Sequence, residues 1–195
     1  MKKTAILIII IFINISLFAQ ENNKKPLHSI SIELSGGLFF SEYRYFKNYN
    51  GLESVNLGVS KDIFKKFGLN LNQSYSRMFN EKTNNRGIVL NSTFNVYYNI
   101  FNLKKFKLRI YAGGGLIQIH TKCLYDSYPF EYNVYGASFM SSLSFSYKIT
   151  ERVHININTD FIYGKLSVKE NIILNDEYYK KTIFNSLNIG LNFYL

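Results

Sequence analysis

The stretch Ser186-Leu187-Asn188-Ile189-Gly190-Leu191-Asn192-Phe193-Tyr194-Leu195 places Leu187, Ile189, Leu191, Phe193 and Leu195 on one parity and Ser186, Asn188, Gly190, Asn192 and Tyr194 on the other. A period of two over ten residues reads as a strand with one apolar and one polar face. A strand this apolar, left as a free edge, invites pairing with other chains. Its edge is therefore expected to be closed against another strand.

The same period runs outward from this stretch through most of the chain, beginning near His28. Ile30, Ile32 and Leu34 oppose Ser31, Glu33 and Ser35; Val55, Leu57 and Val59 oppose Asn56, Gly58 and Ser60. Further runs centre on Leu69 and Leu71, on Phe94 and Val96, on Ile110 and Ala112, on Leu143 and Phe145, and on Ile155 and Ile157. With the terminal run they make eight. Short turns are expected at 61–66, 102–105 and 150–152, and longer polar loops at 41–53, 80–87, 122–133 and 164–181. Short and long connections thus alternate, which is the rhythm of an up-and-down membrane barrel with both termini at the short-turn end.

Composition agrees without deciding. A chain of 195 residues is one domain by size, and 47% hydrophobic content suits either a packed core or a lipid-facing belt. Met1-Lys2-Lys3 followed by an apolar run to Phe18 reads as a secretory signal peptide over 1–19, too short to span a bilayer. Residues 20–27 read as a polar lead-in and 28–195 as the barrel domain. Loss of two lysines with the leader leaves 21 basic against 13 acidic residues. That surplus favours anionic lipid and lipopolysaccharide phosphates, while no dense basic patch interleaved with aromatics points to nucleic acid. Cys123 is the only cysteine, so no intrachain disulfide is possible.

Residue identity orients the sheet. The polar parity is rich in Asn, Ser, Gly and Thr, suited to a narrow lumen, whereas a soluble lipocalin-like barrel would carry more Lys and Glu outside and apolar groups within. Phe40, Tyr75, Tyr98, Phe101, Tyr147, Tyr163 and Phe193 lie near strand ends, where membrane barrels carry aromatic girdles. An eight-stranded antiparallel transmembrane β-barrel is the expected fold. The alternatives are a small pore of the same architecture and a secreted lipocalin-like binder.

Asn188, Gly190, Phe193 and Leu195 resemble the C-terminal signal of bacterial outer-membrane barrels, and Tyr111-Ala112-Gly113-Gly114-Gly115-Leu116 looks like the glycine-rich mid-barrel strand of the small barrel superfamily that includes the OmpA membrane domain and OmpX. The resemblance covers roughly 28–195. It implies an outer-membrane location in a Gram-negative-type bacterium, with the barrel assembly machinery reading the last strand. It implies a structural, envelope-anchoring or surface-interaction role, with a further surface or secretion partner left open.

Chemistry is sparse. No phosphate-cradling glycine loop, Gly-x-Ser-x-Gly elbow or His-Glu-x-x-His motif is present, and His120 with Cys123 forms only half of a metal set. Lipid A deacylases of similar size carry a His-x-Ser pair, but Ile155 and Asn156 follow His154 here. Neither a cofactor nor catalysis is expected. The tyrosine-rich segments holding Tyr43, Arg44 and Tyr45, and Tyr125 and Tyr128, are the candidates for surface contacts, since Tyr and Arg supply large rigid contact area. Alternation places Glu33, Arg109, His154 and Asp160 inside. Glu33 and Arg109 come out at similar heights on opposite strands, so a Glu33 to Arg109 pair plugging the lumen is expected, with Asp160 held above it by Asn, Tyr or water.

Overall fold

The computed structural model describes residues 30–41, 50–64, 66–80, 85–125, 128–167 and 181–195; side chains are described for these except at 50–52, 123–125, 128–130 and 132. Eight strands follow one another as β1 Ile30–Ser41, β2 Asn50–Asp62, β3 Phe67–Asn80, β4 Asn85–Asn102, β5 Phe106–Tyr125, β6 Tyr128–Lys148, β7 Val153–Ser167 and β8 Lys181–Tyr194. Each pairs antiparallel with its neighbour, and β8 returns to β1 to close a barrel. Closure gives every strand two hydrogen-bonded neighbours, the condition for a sheet to stand in hydrocarbon.

The register fixes the geometry. Successive partners of Ser31 are Ser60, Asn70, Asn95, Gly113, Met140, Ile162 and Phe184, and the last pairs with Ser41, ten residues further along β1. Eight strands with this stagger tilt by about 40° to the barrel axis.

The barrel is inside out relative to a soluble one. Leu34, Leu71, Phe94, Leu116 and Ile189 each expose half or more of their surface, while Asn91, Asn95 and Asn188 are fully buried. A lipocalin-like arrangement, with its apolar face inward, is the reverse of this. At the turn end, Phe106 packs on Phe145 and Tyr147, and Phe67 on Tyr98, as an outward aromatic rim.

Several expected limits move: β2 starts at Asn50, β4 starts at Asn85 and β7 runs to Ser167, inside the regions 41–53, 80–87 and 164–181 expected as loops, and two further shifts are larger in consequence. β2 continues through Asp62, which the sequence reading had put in a turn, because the turn closes later, where Ile63 and Phe64 donate to the carbonyl of Phe67 at 3.0 Å. The region 122–133, read as a loop, is mostly paired strand: β5 and β6 stay in register out to Tyr125 and Tyr128. Beyond an apolar belt about 25 Å tall, a hairpin needs no apolar alternation to persist, so its residues carry no period-two signal. The segments 1–19 and 20–27 lie outside the described residues.

A candidate functional site in the lumen

The interior is layered along the axis. At the turn end, Arg109 of β5 is buried at 1% exposure, its Nη2 3.6 Å from Oδ1 of Asp62. Lys107 Nζ lies 4.0 Å from the other Asp62 oxygen, and the Tyr97 hydroxyl donates to Asp62. Arg109 also donates from Nε to Asn99 Oδ1 at 3.0 Å and from Nη1 to the Tyr111 hydroxyl at 3.4 Å, with its guanidinium 4.6 Å from the centre of the Tyr97 ring. Lys107 sits 5.6 Å from the Tyr194 ring centre, and that ring packs against His154 at 4.4 Å. Two cations thus share one carboxylate inside an aromatic frame.

The expected Glu33 to Arg109 pair does not form. Glu33 accepts from Asn156 Nδ2 at 2.8 Å and from Asn158, both on β7, and Arg109 is taken by Asp62. The reason is angular: β1 and β5 stand opposite each other across the barrel, whereas β2 is only three strands from β5, and Tyr97 and Asn99 of β4 line the path between them. Asp160 accepts from Ser186 Oγ at 2.6 Å and from Asn188 Nδ2 at 2.9 Å, a serine and an asparagine where Asn, Tyr or water was the expectation.

Above these layers the lumen turns apolar. Phe39, Met78, Val89, Ile117, Ile119, Val134, Ile162, Leu166 and Phe184 form a buried cluster toward the loop end, where Phe39 stacks on Phe184 with ring centres 4.9 Å apart. Sequence reasoning missed this cap. Reading apolar side chains as lipid-facing passes it over, although the inward series Ser35 and Gly37, Gly113 and Gly115, and Asn158 and Asp160 continue to Phe39, Ile117 and Ile162. Asp62 was findable, since it extends the inward series Asn56, Gly58 and Ser60 by one step.

The remaining candidates are placed as follows. Asn188 and Gly190 line the lumen side of β8, while Phe193 and Leu195 are exposed on the outer face. His120 faces outward beside Asn133, 2.7 Å away, and Glu131, 3.8 Å away. No group of three His, Cys, Asp or Glu residues able to hold a metal occurs among the described residues. Tyr125 and Tyr128 pair at the tip of the β5–β6 hairpin, their side chains outside those described. Tyr43, Arg44 and Tyr45 lie outside the described residues.

Closure, the apolar exterior and the polar turn-end lumen together define the fold of the small eight-stranded barrels of bacterial outer membranes. Among solved structures the chain is similar to Neisserial surface protein A, at TM-score 0.53 and 13% identity over 86% of this chain and 97% of that one. It is equally similar to Ail, the attachment invasion locus protein of Yersinia pestis, at TM-score 0.53 and 13% identity over the same shares of the two chains. At such identities the likeness is one of fold. No family model matches the chain, and no curated protein matches it in sequence.

Proposed function

We propose that this protein is an integral outer-membrane barrel that acts through the surface at its loop end, as an envelope anchor or surface-interaction protein, and not as a conduit or a catalyst. The observation that carries the reading is the filled lumen. Charged and aromatic side chains occupy the turn end and an apolar cluster occupies the loop end, so the interior is spent on holding the barrel together. On this reading the short turns face the periplasm, and the long connections and the β5–β6 hairpin face outward. The names of the two similar structures, a surface protein and an attachment protein, point the same way.

Partners follow from the same reading: outer-membrane lipid and lipopolysaccharide around the belt, the barrel assembly machinery during insertion, and a surface or secretion partner at the loops. The full chain is compared with a variant in which the connections 42–49 and 168–180 are cut to tight turns and the β5–β6 hairpin is shortened to end at the belt. Capture of a surface partner by the first and not the second is the expected result. Turnover of lipid A by the purified protein, or a steady open channel, would overturn it.

A further inference from the structure

The three short turns share a composition that turns seldom have. Gly, Asn, Asp and Ser are the usual turn residues, yet each of these turns carries one large apolar side chain in the open: Phe64 at 70% exposure, Leu103 at 62% and Ile149 at 57%. One such residue alone would mean little. Here every short turn repeats it, and each sets it within three residues of an exposed cation: Lys66 in the first, Lys104 and Lys105 in the second, Arg152 in the third.

These side chains ride on a fixed rim. Phe64 donates its backbone N–H to the Phe67 carbonyl at 3.0 Å, Leu103 to Phe106 at 2.8 Å and Ile149 to Val153 at 3.0 Å. The turns are also tied to the strands beside them, since the carbonyls of Lys66, Lys105 and Arg152 accept from the backbone of Asn99, Lys148 and Tyr194 at 2.7, 2.7 and 2.8 Å. The pairs Phe67 with Tyr98 and Phe106 with Tyr147 form the aromatic rim of the belt next to them, so the apolar tips continue the lipid-facing surface past its edge. Lys66 Nζ lies 5.8 Å from the Tyr98 ring centre, and Lys61 ends the outward series Val55, Leu57 and Val59. Asp62 and Glu151, the acidic side chains nearest the described turns, are engaged elsewhere: Glu151 with Lys148 at 2.6 Å, and Asp62 with Lys107 and Arg109 inside the lumen.

We propose that the turn-end rim is a binding surface for anionic phospholipid, with Lys66, Lys104, Lys105 and Arg152 on the phosphates and Phe64, Leu103 and Ile149 seated among the glycerol and upper acyl groups. The inference rests on the orientation proposed above, which puts this rim in the periplasm-facing leaflet. Two chemistries have to be met at one level. A water-soluble acidic partner would pair the cations and leave three apolar side chains in water, while a zwitterionic bilayer would take the apolar tips and offer the cations no net charge. An anionic phospholipid supplies both, and it adjoins the belt already.

The test titrates the full chain, purified in detergent, with dioleoylphosphatidylglycerol or dioleoylphosphatidylcholine, and counts retained lipid by native mass spectrometry. Preferential retention of phosphatidylglycerol is the expected result. A variant combining Lys66→Gln, Lys104→Gln and Lys105→Gln should bind phosphatidylglycerol about tenfold or more weakly and phosphatidylcholine as before. A variant combining Phe64→Ser, Leu103→Ser and Ile149→Ser should hold both lipids less well, whereas Lys165→Gln with Lys181→Gln, a cross-strand pair at the loop end, should keep the preference. Folding of each variant is checked by heat-modifiable migration. Equal retention of the two lipids by the wild type, or a preference that survives in the triple lysine variant, would overturn the proposal. Orientation is read separately: in a Cys123→Ser background, Asn102→Cys should react with a bulky membrane-impermeant maleimide only after the outer membrane is permeabilised. Labelling in intact cells would overturn the orientation, and with it the assignment to the periplasm-facing leaflet, whatever the lipid preference in detergent.

Discussion

Asp62 is the residue on which the turn-end lumen depends, because it carries the negative charge for both Arg109 and Lys107 and accepts from Tyr97. Asp62→Asn keeps the shape and removes the charge, leaving two buried cations to repel each other. The expected loss is about 3 kcal/mol, read from urea unfolding in detergent. Glu33→Gln should cost less, since Glu33 accepts from the neutral Asn156 and Asn158 and forms no direct ion pair with Arg109 or Lys107. Equal losses in the two variants would show that Arg109 is shared with Glu33 after all. Gly113 gives a second test at this scale: a Cβ there would lie 2.6 Å from the Cα of Asn95 on β4, so backbone would have to move. Gly113→Ala is expected to cost about 1–3 kcal/mol, whereas Gly114→Ala, whose Cβ would meet the Ser138 carbonyl at 3.3 Å on the outer face, should be milder. The sequence alone supplies the run of three glycines; which of them is crowded depends on the register with β4.

Among the elements, β8 is the one that closes the barrel, pairing with β7, which precedes it, and returning to β1, where the sheet began. Its four signal-like positions divide by face. Asn188 donates to Asp160 and Ser186 in the lumen, and a Cβ on Gly190 would come within 2.6 Å of the Ser35 Cα, so these two residues are needed by the folded barrel itself. Phe193 and Leu195 stay exposed on the outer face and are available to be read. Phe193→Ala is therefore expected to refold normally in detergent while its level in the outer membrane falls, whereas Gly190→Ala should fail in both settings. Equal behaviour of the two variants would remove the reason for assigning recognition to Phe193. This division also marks how much the sequence makes legible. Strand number, order and facing follow from period two, because lipid outside and a polar lumen inside impose opposite chemistry on alternate residues. Strand ends and the partner of Arg109 do not follow from it, because they depend on stagger around the closed sheet and on hairpin pairing beyond the belt, and neither leaves a periodic trace.

For the whole molecule, the question is whether the lumen conducts, and the layering makes a sharper statement than a single plug would. An Arg109→Ala barrel loses the guanidinium that fills the turn end, yet Phe39, Met78, Ile117 and Phe184 still close the loop end with apolar groups that repel ions and water. A Phe39→Ala and Phe184→Ala barrel has the opposite defect, since the stacked rings are gone while Arg109, Lys107 and Tyr97 remain packed on Asp62. Each variant is expected to stay silent in planar bilayers, as is the wild type. The combined triple variant is expected to conduct, because only then are both layers thinned. Steady conductance in the wild type would make the small pore the leading function. Conductance in Arg109→Ala alone would mean that the apolar layer is no barrier, and that the charged cluster around Asp62 is the gate.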